Sequence, residues 1–307
     1  MTQAIRDHKK LILTLLSGAL LLILAVVYIF PFFHMFSTSL KTFAEANMMP
    51  PKLLPEEPQF QSYAEAWDSM NVLHYLKNSV IITGCTIIGQ MFVCVPAAYA
   101  FAKKQFRLKK VLMPALLFDL LVPAQIVFLP IYVIVSNAGL LNTYRSLVLP
   151  FLYSAFTIFF LTQSFRTIPD ELLDAGFMGG AWNTMVYRTF FKGLPESLFE
   201  SAKIDGASEY RICFSIVLPL SVPAMATIGF LYFVGKWNDY FWAKVLTTDE
   251  TVRTLPMAVS GLLSVGDGMI HWNVVMAGNV FLFAPMLIIY LLANRSIKQA
   301  FIYGGIK

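Results

Sequence analysis

Six stretches of this chain are apolar over the thickness of a bilayer, at about 11–36, 79–102, 111–135, 146–165, 217–234 and 274–293. A helix rises about 1.5 Å per residue, so some 20 such residues cross a hydrocarbon core roughly 30 Å thick. Inside that core every backbone N–H and C=O must be paired, which leaves the helix as the economical way across. The balance of residues agrees: 57% are hydrophobic and 13% charged, against about a quarter charged in soluble domains. The expected fold class is all-α, a polytopic membrane protein with six transmembrane helices. The membrane domain runs over 11–293, between an N-terminal segment 1–10 and a tail 294–307. The first run follows Arg6, Lys9 and Lys10. It is longer than a signal-peptide core and lacks a convincing small-residue cleavage site, so it reads as a retained anchor.

Six crossings put both termini on one side, and the basic residues choose the side. The N-terminus, the 103–110 loop, the 166–216 segment and the C-terminus together hold 16 of the 23 Lys and Arg residues. By the positive-inside rule these lie in the cytoplasm. The 37–78 and 235–273 segments then lie outside, with Trp67 and Tyr75 as expected interfacial anchors in the first and Trp237 and Trp242 opening the second. The formal charge of +5 is spread along span ends rather than gathered on one polar face, which argues against a nucleic-acid partner. Cys85, Cys94 and Cys213 have neither metal-site nor disulfide-framework spacing and read as small buried residues.

Helix breakers recur within the runs: Pro114, Pro123 and Pro130 in the third, Pro219 and Pro223 in the fifth, Pro285 in the sixth. Proline frees backbone carbonyls and kinks a helix. Three in one run point to a pathway-lining or moving helix. Asp119 is an acidic residue deep in an apolar run, so it should face protein or water and serve a hydrogen-bonding or pairing role.

The polar stretch 200–219 sits between the fourth and fifth runs. Glu200 to Ile204 begins as a helix, Gly206 permits a tight bend, Ser208 is a candidate N-cap and Pro219 opens the next span. Such a helix–turn–helix suits docking to a cytosolic partner. Glu200, Asp205 and Glu209 can pair with Lys or Arg of that partner, and Ala202, Ile204 and Ala207 offer a small apolar face. Just upstream, Phe165–Asp174 aligns with Phe191–Glu200 at an offset of 26, and the register continues from Gly180-Ala181 to Gly206-Ala207. This reads as a tandem duplication within the cytoplasmic loop 166–216. The second copy keeps a short helix with a clean glycine stop. The first carries Gly176, Gly179 and Gly180, at about 1 kcal/mol each inside a helix, so the second is the expected working copy.

Glu200-Ser201-Ala202, then Gly206, then Ile216, Leu218 and Pro219 resemble the hallmark loop of the inner-membrane permease subunits of binding-protein-dependent ABC sugar importers, maltose-transporter type. That loop has Glu-Ala-Ala, three residues, Gly, nine residues and Ile-x-Leu-Pro; here Ser201 replaces the middle Ala. Ala97–Phe101, Leu121–Gln125, Gly139–Tyr144, Trp237–Asp239 and the Gly304–Lys307 tail resemble the same branch. The resemblance implies a complex with a second permease subunit, two ATPase subunits and an extracytoplasmic sugar-binding protein in a bacterial inner membrane. It also implies a coupling helix, between the fourth and fifth spans, that docks in a groove of one ATPase. The sequence has no G-x-x-x-x-G-K-[ST] run, so ATP and Mg are expected in the partner ATPase, with no cofactor and no catalytic role in this chain. For a sugar in transit, Gln125, Asn238 and Asp239 with nearby Tyr and Trp are the candidate contacts. The competing expectation is an ion- or proton-coupled secondary transporter. It needs paired intramembrane ionisable groups, and Asp119 alone is poor support.

Overall fold

The computed structural model describes residues 2–166, 218, 221–264 and 268–304. The region 167–217, with most of the coupling motif and of the repeat, lies outside the described residues. Every regular element among the described residues is helical. In order they are α1 Thr2–Ser39, α2 Phe43–Ala46, α3 Gln61–Met70, α4 Val72–Lys103, α5 Lys109–Asp119, α6 Ala124–Asn137, α7 Tyr144–Val148 followed by a 3-10 turn at Leu149–Phe151, and α8 Ala155–Arg166. After the undescribed region come α9 Val222–Trp237, α10 Tyr240–Leu246, α11 Leu255–Gly261 with a 3-10 turn at Leu262–Ser264, and α12 Trp272–Gly304.

Three of these hold an apolar stretch of span length: Ile12–Ser39 of α1, Val72–Lys103 (α4) and Trp272–Arg295 of α12. Tyr144–Phe151 and Ala155–Arg166 make a fourth, broken span bent by 45°. The third apolar run departs from the expected single helix. It is split into α5 and α6, and Pro123 stands at the N-cap of α6 with φ −63° and ψ 134°. Proline has no N–H to give to the preceding turn and pushes the residue before it out of helical geometry, so the run stops and restarts there.

The chain divides into two compact units, one formed by Met1–Tyr75 with Met257–Pro285 and the other by Leu76–Pro256 with Met286–Lys307. In the first unit, aromatic rings hold helix to helix. Phe32 and Phe36 of α1 lie 4.8 and 6.3 Å from Phe283 of α12, and Tyr63 and Trp67 of α3 lie 5.9 and 5.6 Å from Phe281. Asn273 donates to the Ser62 hydroxyl at 3.0 Å. Gly278 lets α12 come close: a Cβ there would sit 2.7 Å from Leu262 Cδ1 and 3.3 Å from Met70 Cε. Residues 12–33 of α1 are exposed on all sides. A helix that is apolar all round and bare all round belongs in lipid or against another chain.

The second unit is built on α4. Its buried face is polar, with Ser79, Thr83, Thr86, Gln90 and Cys94 recurring at three- and four-residue intervals, while Val80, Ile88 and Phe92 point outward. This inverts the pattern of a soluble amphipathic helix, as expected where the surroundings are hydrocarbon. Below the stripe an apolar cluster joins α4 (Val95, Ala98, Tyr99) to α5 (Leu116), α8 (Ile158, Leu161, Phe165) and α9 (Ile228). Of the expected interfacial aromatics, Trp67 is exposed, whereas Tyr75 and Trp237 are buried. Trp237 stacks on Phe233 at 5.4 Å, so it packs protein to protein rather than marking a membrane boundary.

Candidate functional site

The polar stripe of α4 meets the backbone that the broken span leaves without helical partners. Gln90 donates through Nε2 to the Phe151 carbonyl at 3.0 Å, and the Tyr232 hydroxyl of α9 donates to the same oxygen at 3.2 Å. The Cys94 thiol lies 3.7 Å from the Leu152 carbonyl. Two neighbouring helices therefore supply the donors that a straight helix would have found in itself. This is what lets a bend persist at membrane depth. About three turns nearer the N-terminus of α4, Asn78 donates to the carbonyls of Thr251 and Arg253 at 3.0 and 2.9 Å, and its own carbonyl accepts from the Tyr144 hydroxyl at 2.6 Å. Ser79 accepts from the Leu255 N–H at 2.8 Å.

The Gly139–Tyr144 stretch has a conformational reason. Gly139 and Asn142 both adopt positive φ, +66° and +60°, a region open to glycine and tolerated by asparagine. The turn lets Asn142 accept the Thr248 N–H at 2.6 Å and donate to the Thr248 hydroxyl at 2.8 Å. Thr143 then caps α7.

The α9–α10 junction carries a second node. Lys236 is buried and paired with Asp239 at 2.8 Å, with side chains 5% and 15% exposed. Its ammonium lies 3.8 Å from the centre of the Phe151 ring. The other oxygen of Asp239 accepts the Trp242 N–H at 3.1 Å and caps α10. Phe151 is thus gripped through its carbonyl by Gln90 and Tyr232 and through its ring by Lys236.

Against this geometry the expected site residues fall into three groups. Glu200, Ser201, Ala202, Asp205, Gly206, Glu209, Ile216 and Pro219 lie outside the described residues. Leu218 alone of the motif is described; it is half-buried and packs against the apolar cluster of the second unit, and its carbonyl accepts the Ser221 N–H at 3.1 Å. Of the pathway candidates, Gln125 is placed near the start of α6. Asn238 is exposed, but its amide donates to the Val234 carbonyl at 2.8 Å and contacts the Met286 sulfur at 3.4 Å. Both oxygens of Asp239 are engaged within the chain. The Asp119 carboxylate lies near the Tyr153 hydroxyl. Lys236, Gln90, Tyr232 and Phe151 were not singled out by sequence. Lys236-x-x-Asp239 at helical spacing was the one available signal, and the others are linked only by the fold.

The family described as binding-protein-dependent transport system inner membrane component matches residues 175–303. The match takes in all of 200–219, α9 to α11 and nearly all of α12. Three relatives extend the likeness over almost the whole chain. The diacetylchitobiose uptake system permease protein NgcG of Streptomyces coelicolor is 29% identical over 94% of this chain and 87% of its own. The melibiose/raffinose/stachyose import permease protein MelC of Bacillus subtilis is 28% identical over 99% of each. The sn-glycerol-3-phosphate transport system permease protein UgpE of Escherichia coli is 26% identical over 94% and 96%. The fold is that of a solved chain from a bacterial ABC transporter involved in import of the acidic polysaccharide alginate, with a TM-score of 0.74 over 93% of this chain and 96% of that one at 22% identity. The chain shares the all-α, polytopic membrane fold of that solved chain and is similar to import permease proteins over most of its length.

Proposed function

We propose that this permease forms one half of the translocation pathway for a carbohydrate, most simply an oligosaccharide, together with a second permease subunit. Two separate ATPase subunits bind ATP and Mg and drive it through the 200–219 loop, and an extracytoplasmic binding protein delivers the sugar. Both termini and the loop lie in the cytoplasm of a bacterial cell. The observation that carries this reading is the motif itself. Glu200, Gly206, Ile216, Leu218 and Pro219 keep the spacing of a coupling loop, and the one described member, Leu218, packs on the core that joins α4, α5, α8 and α9. A displacement of the loop therefore has an apolar contact through which to reach the helices. The names of the relatives cover an N-acetylated disaccharide, galactosides and a phosphorylated polyol. That range supports a common scaffold whose solute is chosen largely by the binding protein and the sister subunit.

The test is Gly206→Trp in the assembled transporter. The variant should remain membrane-inserted while ATPase recovery or coupled uptake is lost; unchanged uptake with full recovery of the ATPase refutes the reading. Deleting about 166–191 should harm coupling far less than disrupting 196–211, and the reverse result assigns the work to the first repeat copy. Uptake that persists after removal of the ATPase gene would favour the ion-coupled alternative.

A further inference from the structure

The turn between α4 and α5 carries Lys103, Lys104, Arg107, Lys109 and Lys110, and no acidic residue occurs anywhere between Asp68 and Asp119. We propose that this turn is a docking surface for the headgroups of anionic phospholipids. Three observations support it.

The turn is held rigid. The Lys104 N–H donates to the Ala100 carbonyl at 3.0 Å, continuing α4, and the Lys109 ammonium donates back to the Lys104 carbonyl at 2.8 Å. Phe106 anchors the middle, 5.5 Å from the Phe101 ring and packed on the apolar cluster. A preformed surface loses little freedom on binding.

Cations and bare apolar side chains alternate on it. Arg107 and Lys110 are exposed, and between and beside them Leu108, Val111 and Leu112 are 61%, 65% and 44% exposed. A soluble acidic partner would be matched by the charges alone. Side chains of both kinds within one helical turn match the headgroup boundary, where aliphatic groups enter the acyl region and Lys or Arg heads reach the phosphates. α5 also begins here with no side-chain acceptor at its N-cap, Leu108, so its dipole adds to the positive field.

The surface is continuous with a membrane span, since α4 is a helix of span length that ends at Lys103. The turn therefore emerges where the bilayer's own phosphates lie, at high local concentration.

The experiment uses the full chain in its complex, purified in a neutral detergent and offered equimolar phosphatidylglycerol and phosphatidylcholine of identical acyl chains, with retained lipid counted by native mass spectrometry. The wild type should retain phosphatidylglycerol preferentially. Arg107→Gln/Lys110→Gln should lower that preference roughly thirty-fold at low salt, the equivalent of about 1 kcal/mol for each cation. Arg107→Lys/Lys110→Arg should keep it, and so should Lys77→Gln/Lys244→Gln, which removes the same charge elsewhere. Equal retention of the two lipids, an unchanged preference in the Arg107/Lys110 glutamine variant, or an equal loss in the Lys77/Lys244 variant overturns the proposal. So does displacement of the lipid by inorganic phosphate at comparable concentration. A glutamine variant that keeps its lipid preference but no longer retains the ATPase would show that the turn docks protein instead, and would equally overturn it.

Discussion

Removing the ammonium of Lys236 should be among the most damaging single changes in the second unit. The ion pair is 2.8 Å long and its side chains are 5% and 15% exposed. At an effective dielectric constant of 20, two unit charges at that distance attract by about 6 kcal/mol. Much of this repays the cost of taking both ions out of water, so the informative quantity is the cost of stranding one of them, typically about 3–5 kcal/mol. Lys236→Met leaves the Asp239 carboxylate with only the Trp242 N–H among the described residues and also removes the cation above the Phe151 ring, worth about 2 kcal/mol when desolvated. Asp239→Asn strands the ammonium but leaves the ring contact, so it should cost less than Lys236→Met. The double variant strands no charge and should be more stable than the sum of the two losses by about 2 kcal/mol or more. A double-mutant cycle measured by equilibrium unfolding in mixed micelles reads all three quantities. Single costs below about 1 kcal/mol that simply add would refute the reasoning. Uptake by the double variant separates the two roles of Asp239. If the carboxylate only caps and pairs, a folded double variant transports; if it touches the sugar, the double variant folds and does not transport.

Gln90→Leu should cost only about 1 kcal/mol, because Tyr232 still donates to the Phe151 carbonyl; Gln90→Leu/Tyr232→Phe leaves that carbonyl bare and should cost more than the two singles together, measured by the same unfolding assay. Gly278→Val should cost about 1–3 kcal/mol through overpacking against Leu262 and Met70, while Gly278→Ala loses less because the helix gains about 1 kcal/mol from its propensity; thermal midpoints of the two variants test this. The Glu45 carboxyl is held below the ordinary Glu range, first by the Glu56 backbone N–H and then by that of Thr42. A depressed acid stabilises above its unfolded pKa and ceases to do so as pH falls through the lower folded value, so the protection of 42–56 against hydrogen exchange, taken relative to the intrinsic exchange rate at each pH, should fall on acidification below the usual Glu range and stay constant over that window in Glu45→Gln.

How far the sequence foretold the structure can be judged at the prolines. Pro31, Pro96, Pro114, Pro130 and Pro285 all lie inside unbroken helices, whereas Pro123 marks a break and Pro150 lies in the 3-10 turn at the 45° bend. The residue type alone does not separate these cases. At the 45° bend, Gln90, Tyr232 and Cys94 from other helices stand ready to meet the freed carbonyls, and that arrangement is visible only once the chain is folded. The apolar runs were legible because bilayer thickness imposes them locally, residue after residue. Lys236 was hidden for the opposite reason: by charge counting it is one more basic residue at the end of a span, and only the fold shows it buried beneath Phe151. The coupling motif is an expectation from spacing that lies almost wholly outside the described residues, and Leu218 is the point where it meets described structure.

The buried polar groups also say where a solute contact is to be sought. A side chain can hold a passing sugar only with polar atoms that are not already committed to the fold. Asn78 makes at least three hydrogen bonds to the chain, and Asp239 uses both oxygens on it. Breaking such bonds to admit a hydroxyl would leave a buried donor or acceptor unmatched, at about 1–3 kcal/mol for each. A single new hydrogen bond to a sugar returns only about 1 kcal/mol. For the buried stripe of α4 the exchange is unfavourable, so those side chains act as scaffold; each Asp239 oxygen accepts one hydrogen bond from the chain and keeps a second acceptor site, so the double variant decides its role. Asn238 differs from them: it is exposed, and its side-chain Nδ2 is bound within the chain while no contact of its side-chain oxygen Oδ1 is seen among the described residues. Of the two candidates beside the α9–α10 junction, Asn238 is therefore the one whose single replacement should alter transport without altering the fold.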